Sequence, residues 1–385
     1  MRILILHNKY KNLGGEDIAV DNEFNFLSNF YEVETLFFEN NLKSYIFDFF
    51  SFLSGKNFKS IKFLDQKVKS FQPNIVYVHN TWFKASTGIF YYLKKNNINT
   101  VLKIHNFRYF CTQSFKSSVH FSSGDMCPAC GLFKKDMGYL NKYFRESFVK
   151  SLYASLFGKR YLNIIKNFPI KIVVLTNFHK NFLVNMGVNE SKLNVIPNYL
   201  EVNKNGKGIK KLQNEIVYAG RISIEKGVEE LINAYVNSGL IGYSLKIIGD
   251  GPLYETLKKK YENKEIIFTG HLSNKETLEN IRNATCVVTA TKLYEGQPNL
   301  LSEASLLEVP SIFPDSGGIK EFFPSNSKLV FEQYNYSDLI IKLKKLNNDE
   351  LLKEEGKNNY FYIKNFLDKE KTISQFSKLF NEFEI

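Results

Sequence analysis

The chain has 385 residues, 44% of them hydrophobic and 23% charged, with a formal net charge of +12 at pH 7. That length allows two domains, each with its own core, and the apolar content is ordinary for a soluble protein. Four cysteines do not make a disulfide framework, and no run approaches the roughly 18 apolar residues that span a bilayer.

The first apolar run, Ile3–Leu6, predicts a strand and is far too short for a signal-peptide core, so the expected location is the cytoplasm or the cytoplasmic face of a membrane. It leads into a turn at Gly14-Gly15 and then a helix-like segment, an arrangement whose backbone N–H groups suit a phosphate or simply a tight turn. Further strands are predicted at Val33–Phe38, Ile75–His79, Val101–His105 and Ile172–Thr176. Residues 1–200 hold 26 Lys and Arg against 13 Asp and Glu, whereas residues 201–385 hold 25 against 26. Such a basic half either meets an anionic partner (a phospholipid surface, a diphosphate-bearing acceptor or nucleic acid) or is a solvated face. No nucleic-acid module is recognisable, which disfavours the last partner.

Within residues 111–140, "CPAC" has the spacing that lets Cys127 and Cys130 grip one zinc, with Cys111 and His120 completing a tetrahedron. Only one such pair is present, so structural zinc stands beside reduced thiols packed in an irregular loop. The segment 142–168 mixes aromatic and aliphatic residues with Lys and Arg, which suits either a helix at an anionic membrane interface or the core face of an ordinary helix.

The polar stretch 201–213 reads as a linker. Beyond it, strands are predicted at Ile216–Ala219, Leu245–Ile248, Ile266–Thr269, Val287–Thr289 and Ser311–Phe313. Strands alternating with longer amphipathic segments predict an α/β chain with two Rossmann-like parallel-sheet domains, whose ligands bind outside the carboxyl ends of the strands. Arg221 and Lys226 flank the turn after the first of these strands, a fork and a point charge suited to a diphosphate. The three-glycine dinucleotide fingerprint is absent from both opening turns, which disfavours a nicotinamide dehydrogenase. No Asp-x-Asp occurs, so cationic side chains rather than a metal are the expected counter-charge, and Asp250 in "GDGP" reads as a turn residue.

Glu295 and Glu303 stand with seven residues between them in "LYEGQPNLLSEAS". Glycosidase carboxylates lie about 5 to 9.5 Å apart, whereas a continuous helix would separate this pair by about 12 Å. Pro298 places a helix start between them, with Glu295 in the preceding loop and Glu303 on the second turn. Carboxylates at different depths suit two sets of sugar hydroxyls better than one bond-breaking pair.

Together, "YAGRISIEKG", "IIGDGPLYETL" and "EGQPNLLSEAS", preceded by "GGEDIAVDNE", "VYVHN", "KIHNFRYFC" and "VIPN", resemble the retaining GT-B glycosyltransferases of family 4, group 1. The resemblance implies a GT-B fold: an acceptor-binding Rossmann-like domain over 1–200, the linker at 201–213, a nucleotide-sugar-binding domain over 214–370, and a helix at 371–385 packing back on the first domain, with the two sheets facing a central cleft. It implies Arg221 and Lys226 on the donor diphosphate, Gly14 and Gly15 approaching the phosphates, Glu303 on the ribose, Glu295 facing the donor sugar, His105 beside the reacting centre and His271 near the base. The implied reaction moves a hexose from a nucleotide-diphosphate sugar to a glycan or lipid-linked acceptor with retention, by front-face displacement, in bacterial surface polysaccharide assembly. It requires no cofactor or catalytic metal. The alternatives are a non-catalytic donor-binding or scaffold subunit of the same fold, a sugar-nucleotide epimerase, and a glycan phosphorylase, which would carry a lysine-bound pyridoxal group.

Overall fold

A computed structural model of the protein describes residues 1–9, 14–40, 51, 54–107, 126–131, 148–202 and 214–383. The described chain forms two units, Met1–Tyr199 with the segment from Lys369 onward, and Leu200–Asp368.

In the first unit, β1 (Arg2–Lys9), β2 (Glu32–Glu39), β3 (Ile75–Val78), β4 (Thr100–Ile104), β5 (Lys171–Val174) and β6 (Leu193–Val195) form a parallel sheet in the order β2-β1-β3-β4-β5-β6. Between them run α1 (Gly15–Leu27), α2 (Phe58–Phe71), α3 (Gly88–Lys95), α4 (Phe148–Asn167) and α5 (Asn177–Asn185). β3 is buried at every position, which is why it reads as a continuous apolar run rather than an alternating one. On one sheet face, Ile3, Ile5, Ile75, Tyr77, Val101 and Val173 pack with residues of α1 and of a helix near the end of the chain.

α4 presents Ala154, Phe157, Tyr161, Ile164 and Ile165 to the core at helical spacing. Over residues 152–168 the apolar stripe is therefore core packing, the second of the two readings given for segment 142–168; residues 142–147 lie outside the described residues. Among the described residues no helix is long and apolar enough to cross a membrane.

In the second unit, β7 (Asn214–Ala219), β8 (Tyr243–Ile248), β9 (Ile266–Gly270), β10 (Cys286–Val288), β11 (Ser311–Pro314) and β12 (Val330–Phe331) form a parallel sheet in the order β12-β11-β10-β7-β8-β9. The intervening helices are α6 (Val228–Ser238), α7 (Tyr254–Tyr261), α8 (Asn274–Asn283), α9 (Asn299–Leu306), α10 (Tyr336–Lys344) and α11 (Asp349–Phe366). Of the linker expected at 201–213, residues 203–213 lie outside the described residues.

The last helix, α12 (Lys369–Asn381), belongs to the first unit. Phe376, Leu379 and Phe380 enter its core, Ser377 Oγ lies 2.9 Å from Tyr31 Oη, and Lys171 pairs with Glu382. Each sheet reverses its winding once, between β1 and β3 and between β7 and β10. Such switch points leave a crevice at the carboxyl ends of the strands.

Candidate functional site

In the second unit, the turns after β7, β10 and β11 converge at the switch point. Gly227 (φ 66°) lies so close to the β10 turn that an added Cβ would sit 2.0 Å from the Ala290 carbonyl oxygen. The Lys292 N–H donates to the Glu225 carbonyl at 3.0 Å, so the two turns touch backbone to backbone. This places Lys226 Nζ 2.5 Å from Glu295 Oε1, and Thr291 Oγ1 donates to the same oxygen at 3.0 Å. The β11 turn fixes the Glu295 backbone. Gly318 N–H donates to its carbonyl at 2.9 Å, and Gly317 (φ 58°) approaches it so closely that only a hydrogen fits.

Arg221 stands two residues beyond β7, and the Tyr218 hydroxyl holds its carbonyl at 2.9 Å. Its guanidinium is exposed and makes no side-chain bond among the described residues. Pro298 stands immediately before α9, so Glu295 lies in the loop and Glu303 on the second turn of the helix. Glu303 keeps some exposure, yet its carboxyl is deep enough that burial pushes it up to about 7. Asp250 bonds the Gly251 N–H at 2.6 Å and its carbonyl accepts from Ile222, the behaviour of a turn residue. His271 is exposed just beyond β9. A joined cation and carboxylate, with a second cation on the same turn, offer charge-assisted donors and acceptors to a polar ligand.

In the first unit, Asn8 and Asn80 tie the ends of β1 and β3: the Asn8 N–H donates to the Asn80 carbonyl at 2.9 Å, and Asn80 Nδ2 donates back at 3.0 Å. His79 and His105 immediately follow β3 and β4, one residue beyond the observed strand ends, with Nδ1 of His79 2.9 Å from Nε2 of His105. Together with Glu16, Thr81, Lys103 and Asn106 they line a pocket at the carboxyl edge of the sheet. Burial holds both imidazoles well below the usual range, hence neutral.

Beneath them, Glu23 Oε1 receives Lys103 Nζ at 2.7 Å and the Tyr77 hydroxyl at 3.2 Å, all fully buried. The Gly14 N–H donates to Asp17 at 2.8 Å, and the other Asp17 oxygen lies 2.9 Å from His7 Nε2. The expected glycine loop thus begins a helix whose first turn carries Glu16 and Asp17.

Sequence reasoning singled out His105 but not His79, Glu23 or Lys103. The available signals were the lysine interrupting the apolar run "TVLKI" and the histidine ending "IVYVH". Of the four residues considered for zinc, Cys111 and His120 lie outside the described residues, while Cys127 is buried and Cys130 half-buried. Among the described residues, no three His, Cys, Asp or Glu side chains cluster as metal ligands do.

Residues 201–364 match the family described as glycosyl transferases group 1. The O-antigen biosynthesis glycosyltransferase WbnH of Escherichia coli is 27% identical over 236 residues, 58% of this chain and 64% of that protein. The aligned region thus spans less than two thirds of that curated relative's length. Two solved structures share the fold. Sucrose-phosphate synthase from Thermosynechococcus elongatus superposes with a TM-score of 0.73 at 13% identity, covering 99% of both chains. Anabaena HepE in complex with UDP-glucose superposes with a TM-score of 0.70 at 14% identity, covering 99% of this chain and 100% of that one. The fold is the GT-B type these proteins share, and the similarity to group 1 glycosyl transferases covers residues 201–364.

Proposed function

We propose, from a chain whose residues 201–364 match the glycosyl transferases group 1 family, that this protein transfers a hexose from a nucleotide-diphosphate sugar to a glycan or lipid-linked acceptor, with retention of anomeric configuration. The observation carrying this reading is the convergence of Lys226 and Glu295 at the β7/β10 switch point, with the Arg221 guanidinium exposed on the same turn as Lys226. Arg221 and Lys226 take the diphosphate, whose charge they balance without a metal or cofactor. Glu303 accepts the ribose hydroxyls and Glu295 faces the sugar, where its charge also opposes positive charge developing on the ring. His271 lies toward the base. In the first unit, Gly14 and Gly15 let the backbone approach phosphate, and His105 serves the reaction from its pocket.

The relative named for O-antigen biosynthesis supports surface polysaccharide assembly as the setting. The 26 Lys and Arg against 13 Asp and Glu in residues 1–200 support an acceptor or membrane surface that is anionic, met from the cytoplasmic side. The neighbour solved with UDP-glucose makes uridine the first base to try.

The test is a thermal-shift panel of UDP, GDP, ADP, CMP and their sugar conjugates on the wild type and on Glu303→Ala. A ligand at about 100 times its dissociation constant stabilises by about 2.7 kcal/mol. One nucleotide class shifting the wild type but not the variant supports the reading. No shift with any of them, alongside salt-sensitive binding to polyanions, overturns it.

A further inference from the structure

Buried Glu23, Lys103 and His79 form a line that ends at half-buried His105 in the pocket, and the line has a direction. Glu23 Oε1 accepts from Lys103 and Tyr77, which leaves Oε2, 3.7 Å from His79 Nε2, with no hydrogen bond among the described residues. Glu23 lies on α1, Tyr77 and Lys103 on β3 and β4, and the other histidine of this corner, His7, is turned to Asp17 on α1. With Lys103 and Tyr77 both donating to Oε1, Glu23 presents Oε2 to His79 as an acceptor. A carboxylate oxygen that faces a neutral imidazole nitrogen attracts the N–H and repels the lone pair, so the His79 proton belongs on Nε2.

Nδ1 of His79 then carries a lone pair, and the 2.9 Å contact to His105 requires the proton of that bond to come from His105 Nε2. A neutral His105 with its proton on Nε2 has an unprotonated Nδ1. That nitrogen makes no hydrogen bond within the described protein and is absent from its enclosed unpartnered atoms, on a side chain that lines the pocket.

We propose that Glu23, acting through His79, fixes the ring tautomer of His105, so that His105 Nδ1 meets the pocket as a hydrogen-bond acceptor for a substrate hydroxyl. Glu23 and His79 are positioning residues; His105 is the one that touches the ligand. The identity of the hydroxyl as one of a sugar rests on the glycosyltransferase reading, whereas the tautomer does not. The opposite tautomer would present an N–H and would select a phosphate or carbonyl oxygen instead.

Long-range 15N–1H correlation spectra of 15N-histidine-labelled full-length protein at neutral pH read the tautomer directly, and the chain has only six histidines to assign, His105 by its loss in His105→Asn. The expected spectrum shows His105 Nε2 at a protonated shift and Nδ1 at an unprotonated one. His79→Phe, which removes the acceptor of that proton, is expected to move both His105 nitrogens to intermediate, exchange-averaged shifts. A wild-type His105 protonated on Nδ1 overturns the proposal, and this arm needs no variant to fold. An unchanged single tautomer in a folded His79→Phe overturns the part assigned to Glu23 and His79. Neither outcome depends on nucleotide binding, so a failed thermal-shift panel beside the expected spectrum would sink the transferase reading alone.

Discussion

Lys226 Nζ and Glu295 Oε1 lie 2.5 Å apart, joining the turn after β7 to the loop that precedes α9. Both side chains are partly exposed, 29% and 23%, so the pair itself contributes about 1 kcal/mol or less to folding. Lys226→Met is therefore expected to shift the melting temperature by no more than about 4 °C, while weakening nucleotide-diphosphate binding at least tenfold. Calorimetry and titration of the same samples separate the two effects. A large melting shift with unaltered affinity would make the pair a structural clasp.

Gly317 is the residue that seats Glu295. An added Cβ would lie 2.7 Å from both the Glu295 nitrogen and oxygen, at a φ of 58°. Gly239 has nearly the same φ, 64°, with nothing within 4 Å. Gly239→Ala should cost about 1 kcal/mol from backbone strain alone. Gly317→Ala should cost more, about 1–3 kcal/mol beyond that, and should reduce sugar transfer by displacing Glu295. Equal melting temperatures and equal activities in the two variants would contradict the close approach.

Burial raises the Glu303 carboxyl from 4.5 to about 7. The folded protein then holds this proton more tightly than the unfolded chain does. Its contribution to stability is full below about 4.5 and is lost as pH rises through 7, about 3 kcal/mol at the limit. Relative to the wild type, Glu303→Gln should gain stability steadily between pH 5 and pH 8, a trend melting curves across that window resolve. If the ionised carboxylate accepts the ribose hydroxyls, nucleotide affinity in the wild type should rise by about tenfold from pH 6 to pH 8 and stay flat in the variant.

Lys103 and Glu23 are buried together and are worth little as a pair but much as a broken one. Lys103→Met should destabilise the protein by about 3–5 kcal/mol, because it strands the Glu23 carboxylate. Lys103→Met combined with Glu23→Gln should recover most of that loss. Denaturant titration of the two variants measures it, and a double variant no more stable than the single one would mean that packing rather than charge is decisive.

The sheets were readable as apolar runs because β1, β3, β4 and their counterparts in the second unit are long enough to show a pattern. β6 (Leu193–Val195) and β12 (Val330–Phe331) escaped. Two or three residues at a sheet edge carry no period, and their pairing depends on a neighbour far along the chain. The start of α9 was legible from Pro298, since proline both ends the preceding run and fits the first turn of a helix.

By itself, then, the sequence determined the α/β architecture, the cations proposed to meet a diphosphate, and the placement of Glu295 and Glu303 on either side of a helix start. Tertiary structure alone decided which of them meet. Lys226 and Glu295 are 69 positions apart and Glu23 and Lys103 are 80 apart, so no local pattern links them. It also decided the burial of Glu303 and the contact between His79 and His105. A charge's energy depends on how much water and how many partners surround it, and those are set only when distant strands bring their carboxyl ends together.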